Sequence, residues 1–509
     1  MCTYLGIEFG STKIKAVQIG EDYQIRSAGD YSWKSDYCNG IWTYDLQEAW
    51  LGVQTALKAI KEPESIRCIG VSGMMHGYLA FDKDWKLLVP FRTWQNTTTT
   101  EAAEQLSNLF GFNIPQRWSV AHLYQAILDH EKHVENIAHI TTLAGYIHYR
   151  LTGINAVGIG EASGMFPVDG QGFCYDRKLL DLFGEVTKDQ TWNMEDLLPA
   201  ILAPGADAGY LTEEGAKRID AAGRIPVGIP LCPPEGDAST GMVATNAIGA
   251  RTGNISAGTS AFAMIVLEKP LQNVYREIDM VATPEGRPVA MVHCNNCTNE
   301  INAWAEMFGG FLESIGEKAD MDAIYTAMFK SAMQGQQDAG GLLVYNCLAG
   351  EPMISMPEGR PLLVRTPLSS FNFANLMRAH LFSALASLRL GMDILRKENV
   401  EVDRLLAHGG FFKTPLVGQQ MVAAATGIPV SVMKTAGEGG PWGMALLAAY
   451  RMQKQSGQSL ENYLREKVFS GQVEHCVAPE AVVANGFCLF MQRYKQGLPI
   501  LQNALHNLD

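Results

Sequence analysis

A strand, turn and second strand that occur twice constrain this chain more than any other feature. Leu5-Gly6-Ile7-Glu8-Phe9 leads through Gly10-Ser11-Thr12 into Lys13-Ile14-Lys15-Ala16-Val17, and Thr252-Gly253-Asn254-Ile255-Ser256-Ala257 leads through Gly258-Thr259-Ser260 into Ala261-Phe262-Ala263-Met264. Each signal opens a long stretch of alternating strand-like and helix-like segments, which predicts a duplicated α/β architecture with two domains facing each other across a cleft. The boundary falls near 248–251, giving units 1–249 and 250–509. A glycine-turned hairpin is by itself only a hairpin. The same small residues also let backbone N–H groups approach phosphate oxygens, with Lys13 or Lys15 adding charge and Glu8 placed to hold Mg2+ through water.

At 509 residues the chain exceeds one ordinary core, and 47% hydrophobic with 18% charged residues is a globular balance. A formal net charge of −13, with no clustered run of Lys and Arg, argues against a nucleic-acid surface, which needs concentrated positive charge. No apolar run is long enough to span a bilayer, so no membrane partner is expected. Met1-Cys2-Thr3-Tyr4 lacks a basic segment followed by an apolar stretch, which argues against a secretory leader. Ten scattered cysteines in such a chain predict reduced thiols and a cytoplasmic location, with a homodimer left open.

Apolar spacing predicts a helix over 45–60, a buried strand over Cys68-Ile69-Gly70-Val71-Ser72-Gly73, a helical region over 122–139 and a helix over 144–152 stopped by Gly153. Pro233-Pro234-Glu235-Gly236-Asp237 leads into a small-residue helix over 238–245. The second half carries one long helix over 373–397, a short strand ending at Gly409-Gly410, a helix resuming after Pro415, and a tight turn at Gly437-Glu438-Gly439-Gly440 entering an Ala-rich helix.

Asp237 is the first candidate for chemistry. At a helix start it is a natural N-cap, and equally a carboxylate that could take the proton from a substrate hydroxyl attacking phosphorus. Gly258-Thr259-Ser260 is either a plain turn or a second phosphate clamp, and Gly409-Gly410 either a turn needing positive φ or bare backbone for an adenosine. His76, in Ser72-Gly73-Met74-Met75-His76-Gly77, is either structural or the donor of a hydrogen bond to a polyol hydroxyl. Cys294-x-x-Cys297 invites a redox or zinc reading, yet it lacks a second pair at zinc-like spacing and a thioredoxin-like context.

Taken in order, these segments resemble the FGGY carbohydrate kinases, within the actin/Hsp70/sugar-kinase group, over nearly the whole length. The opening hairpin is similar to that family's first phosphate loop, and Ser72 to Gly77 resembles the Ser-Gly-Gln-Met-His-Gly segment of its xylulokinases. Gly236-Asp237 matches the Gly-Asp that carries the catalytic base, Gly258-Thr259-Ser260 the second phosphate loop, His408 to Lys413 the adenosine segment, and Gly350-Glu351-Pro352 a Gly-Glu-Arg-x-Pro turn. The resemblance implies two ribonuclease H-like α/β domains around a nucleotide-binding cleft, ATP with Mg2+, and a sugar held mainly by the N-terminal domain. It implies that Asp237 is the base and contacts the sugar with Met75 and His76. By the same token Thr12, Lys13, Gly258 and Thr259 hold the phosphates, Gly409 and Gly410 face the adenosine, and Glu8 with Asp237 holds the metal.

Three segments depart from the pattern. Glu8 stands for the usual Asp, Met74 for the xylulokinase Gln, and Trp94-Gln95-Asn96-Thr97-Thr98 for Trp-x-Asp-x-Arg. The expected reaction is transfer from ATP to the terminal hydroxyl of a ketopentose, xylulose or ribulose, with a deoxyhexulose, gluconate or another polyol as alternatives. A chaperone-like or cytoskeletal ATPase and a non-catalytic sugar sensor are the readings from other classes.

Overall fold

In the computed structural model, which describes residues 2–432, 439–471 and 475–507, both hairpins lie inside mixed β-sheets. The first sheet holds β1 (Thr3–Phe9), β2 (Lys13–Gly20), β3 (Ile25–Ser32), β4 (Ile66–Gly73) and β5 (Glu235–Gly236) in the order β5-β4-β1-β2-β3. The second holds β6 (Thr252–Ala257), β7 (Ala261–Val266), β8 (Ile278–Ala282), β9 (Pro288–Cys294), β10 (Arg404–His408), β11 (Val430–Val432) and β12 (His475–Val477), in the order β8-β9-β7-β6-β10-β11-β12. In each sheet the hairpin is antiparallel and its first strand pairs in parallel with a later one, β1 with β4 and β6 with β10. The run β3-β2-β1-β4-β5 is thus repeated by β9-β7-β6-β10-β11. The chain has the two-domain α/β fold that the duplicated signal predicts.

β1 is buried along both faces, which is why it reads as a nearly continuous apolar run. Leu5, Ile7 and Phe9 pack with Ala49, Trp50 and Val53 of the helix Leu46–Leu57 and with Leu143 and Ile147 of the helix Leu143–Thr152. Asp45 starts the former by accepting from Gln47 N–H at 2.8 Å, and Gly153, at φ +78°, stops the latter. On the opposite face lies the helix Gly439–Gln453, from far along the chain. A Cβ at Gly6 would come 2.0 Å from the Pro441 carbonyl oxygen, so only glycine admits this approach. The Trp442 indole then donates to Tyr23 O at 3.0 Å and ties the helix to the sheet edge.

Two expected helices are shorter than their periodicity. The region 122–139 is a helix Ser119–Leu128, a 3-10 turn Lys132–Asn136 and a strand His139–Thr141, interrupted where His130 takes φ +53°. The stretch 373–397 is two helices, Phe373–Ala384 and Ala386–Lys397, broken at Leu385. The first is buried nearly all round and the second along one face, both in the same core, so the apolar rhythm runs on across the break. Gly437 and Glu438 of the expected tight turn lie outside the described residues, and the Ala-rich helix is seen from Gly439. Among the described residues no helix is long and apolar enough to cross a membrane.

Candidate active site

A cleft of about 1130 Å3 lies between the two sheets, lined by Glu8, Ser11, Met75, His76 and Asp237 from one side and by Ser260, Asp279, His293 and His408 from the other. The expected phosphate and adenosine residues Thr12, Lys13, Gly258, Thr259, Gly409 and Gly410 are chain neighbours of Ser11, Ser260 and His408 in the same three turns.

The two hairpin turns are held in one way. The Trp33 indole donates to Gly10 O at 2.7 Å and the Tyr44 hydroxyl to Ser11 O at 2.7 Å. Across the cleft, Thr298 N–H donates to Gly258 O at 3.0 Å and Cys297 N–H to Thr259 O at 2.9 Å. In a trans peptide the N–H points opposite to the C=O. Pinning two successive carbonyls therefore turns the N–H groups of Ser11 and Thr12, and those of Thr259 and Ser260, away from their braces, the arrangement an anion-binding turn requires. The Cys-x-x-Cys segment finds its place here. Cys294 ends β9 and Cys297 begins the brace, and both are fully buried with thiols pushed up by burial, Cys297 to about 12, which suits packing rather than redox chemistry.

The Lys13 ammonium, half-exposed on the same face of β2 as Lys15, pairs with Asp30 at 2.5 Å. Lys15 lies directly opposite Glu8 in the β1–β2 register and is the cation nearer that carboxyl. Gly409 has φ +108°, and a Cβ there would meet Ala257 O at 2.3 Å, so close packing of β10 on β6 already requires this glycine. Gly410 faces open space.

Asp237 is the first residue of the helix Asp237–Ala244, and Gly236 occupies the cap position. Its Oδ1 accepts from Ala238 N–H at 2.9 Å and, across the sheet end, from Met75 N–H at 3.2 Å. The side chain thus ties the base candidate to the sugar segment instead of only capping its helix. Burial pushes its carboxyl up to about 6, against those N–H groups, which lower it. Glu8 lies against the Gly440 backbone, and burial first, then the Asp237 charge, push it up to about 8, opposed by Lys15. Deeper still are Glu235 and Glu161, both buried, with Glu161 N–H donating to Glu235 Oε2 at 2.9 Å. Burial raises both carboxyls, Glu235 to about 8, and the charges of Glu235 and Asp237 further raise that of Glu161. Among the described residues no group of three His, Cys, Asp or Glu is arranged to hold a metal. Glu8 and Asp237 fit Mg2+, which binds through one or two carboxylates and completes its shell with water and phosphate oxygens.

His76 is held at φ +69°, a conformation rare outside glycine, and its Nδ1 lies 3.2 Å from Gly164 O. A carbonyl only accepts, so Nδ1 carries the proton. Burial, with Arg117 next, depresses the ring well below its usual range, leaving a neutral imidazole whose Nε2 is a lone pair. The free ring nitrogen is therefore an acceptor, where a donor was expected.

The N-terminal domain of the FGGY family of carbohydrate kinases matches residues 3–233, and the family's C-terminal domain matches residues 253–452. The chain belongs to this family. It is an ATP-dependent carbohydrate kinase, which replaces the chaperone-like and sensor readings. It is similar to the xylulose kinase of Haemophilus influenzae, at 24% identity over 445 residues, 82% of this chain and 85% of the relative. It is also similar to the glycerol kinase of Thermococcus gammatolerans, at 25% identity over 233 residues, 40% of this chain and 47% of the relative. Its fold is that of the ligand-bound xylulose kinase from Lactobacillus acidophilus, with a TM-score of 0.82 at 18% identity over 100% and 99% of the two chains. The gluconate kinase from the same organism gives 0.80 at 18% identity, over 98% and 99%.

One departure of this kinase from the family pattern has a structural explanation. Asn96 is buried, accepts from Trp42 N–H at 2.8 Å and donates to Trp42 O at 2.8 Å, a double bond to one backbone residue that a carboxylate cannot make. Trp94 donates to Ser11 Oγ at 3.1 Å and steadies the first turn. Met74 is buried in the cleft wall, and nothing in the structure explains why it replaces Gln. The braces Trp33, Tyr44 and Thr298, and the cleft residues Arg117 and Asp279, escaped the sequence reading. They lie far from the motifs along the chain and carry no local signature.

Proposed function

We propose that this kinase phosphorylates the terminal hydroxyl of a neutral ketopentose, xylulose or ribulose. The observation that carries the reading is the continuity from Asp237 through Met75 to His76. Met75 N–H holds the carboxylate, and the next residue presents a neutral ring acceptor to the same cleft. Likeness to xylulose kinase along most of the chain supports a pentulose over a longer or shorter polyol.

In this reading the sugar lies along Met75 and His76, and His76 Nε2 accepts one of its non-reacting hydroxyls. The terminal hydroxyl donates its proton to Asp237 as its oxygen bonds to the γ-phosphorus, while the bond from that phosphorus to the β,γ-bridging oxygen breaks and ADP leaves. Pinned N–H groups of the two hairpin turns meet the phosphate oxygens from opposite sides. Glu8 and Asp237 would hold Mg2+ with water, and the bound ion would supply neutralising charge on the phosphates. Closure of the two sheets around the pair aligns the reacting atoms and excludes water.

A panel of ketoses, polyols and aldonates with ATP and Mg2+, followed by ADP release and product identification, tests the proposal. Xylulose or ribulose is expected to give the highest kcat/KM. A preference for gluconate, a deoxyhexulose or glycerol would overturn the substrate, and ADP release that no sugar stimulates would overturn sugar transfer.

A further inference from the structure

The far wall of the sugar region holds a charge pair that no motif announced. Gly77 N–H donates to Arg117 O at 2.9 Å, so Arg117 is fixed one residue beyond His76. Its guanidinium pairs with Asp279, on the edge strand β8 of the other domain. Asn113 completes the clasp, donating to Asp279 Oδ1 at 3.1 Å and to Ile278 O at 3.0 Å. Arg117, Asp279 and Asn113 all line the cleft, as do the two rings within electrostatic reach of Arg117, His76 from one domain and His293 from the other. Both rings are neutral, held below the usual range by burial and by that guanidinium. Among the other described charged residues lining the cleft, Glu104, Arg276 and Glu277 are exposed at the rim, and Glu8 and Asp237 are at the reacting end.

We propose that Asp279 sets the charge selectivity of this cleft: by cancelling Arg117 it makes the sugar region accept uncharged polyhydroxy substrates and reject sugar acids. The inference rests on the reading of the cleft as a sugar site. A paired guanidinium and carboxylate together offer donors and acceptors to hydroxyl groups at no net charge, and Gln95, whose Oε1 is buried without a partner in the same wall, adds a neutral acceptor. A substrate carboxylate placed there meets Asp279 before it finds an uncommitted cation. Arg117 is long enough, and fixed firmly enough by its backbone, to take that carboxylate in a two-pronged grip once Asp279 no longer occupies it.

The pair makes opposite predictions for its two members. Asp279→Asn leaves a net positive wall and is expected to raise the ratio of gluconate to ribulose kcat/KM at least tenfold. Arg117→Gln leaves a net negative wall and is expected to lower that ratio by a similar factor. Calorimetric affinities for gluconate and ribulose should move the same way without turnover, and thermal unfolding of each variant establishes that it is folded. A purely structural role would weaken both ligands alike in both variants, and such a result, or ratios that do not move in opposite directions, overturns the proposal. A wild-type enzyme that turns over no sugar yet shows these opposed affinities would instead overturn the ketopentose reading and leave the charge selectivity standing.

Discussion

Glu351 links a titratable group to the architecture of the second hairpin turn. It is fully buried, and its Oε2 accepts from both the backbone N–H and the side-chain amide of Asn296, each at 3.3 Å, while Oε1 has no partner. Asn296 in turn clasps Ala349 through bonds of 2.9 and 3.0 Å and precedes Cys297 and Thr298, the braces of Gly258 and Thr259. Burial pushes the carboxyl from 4.5 up to about 7, against the Asn296 donors. Below pH 4.5 the group is neutral in both the folded and the unfolded chain, and its full contribution to stability is present. Between 4.5 and about 7 only the unfolded chain ionises, so stability falls as pH rises, by about 3 kcal/mol when complete. Glu351→Gln keeps an acceptor for Asn296 and never ionises. Denaturant unfolding of both proteins from pH 4.5 to 8 should therefore give a difference curve that starts near zero and climbs to about 3 kcal/mol in favour of the variant. Other raised carboxyls, Glu8 and Glu235 among them, slope the same way in both proteins and cancel in the difference. A flat difference curve, or a variant less stable at pH 8, refutes the reasoning.

Asp237→Asn retains an acceptor for Met75 and Ala238 but cannot take a proton. It should lower transfer by about 10²- to 10⁴-fold while leaving ATP affinity measurable by calorimetry, and near-normal turnover would reduce Asp237 to a structural tie. Asn96→Asp restores the family's residue but strands Trp42 O without its donor in a buried site. A loss of about 1–3 kcal/mol in unfolding stability is expected, and an unchanged melting curve would show that the double bond to Trp42 is dispensable.

Much of the N-terminal cleft wall was legible because its residues are contiguous. Gly10-Ser11-Thr12, Met75-His76 and Gly236-Asp237 each lie at a strand end, and the ends of paired strands meet: β1 pairs with β4, and β4 with β5. Protonation at His76 was not legible. The neighbouring residues permit the ring to donate, and only Gly164, brought in from a separate helical turn, fixes the proton on Nδ1 and reverses the direction of the bond. The partner of Lys13 was not legible either: Asp30 comes from β3, diagonal to Lys13 in the strand register.

The sequence by itself determined the duplication, the two hairpins and the place of Asp237 at a helix start, because turn chemistry and apolar periodicity are local and survive without a tertiary context. Only the tertiary structure decided the charge and hydrogen-bond state of the cleft. Glu8, Asp237, Glu161 and Glu235 become a set of reluctant carboxyls, and Arg117 meets Asp279, through burial and proximity between segments far apart along the chain. Desolvation and Coulomb energy depend on what surrounds a group in space, and no spacing along the chain encodes that.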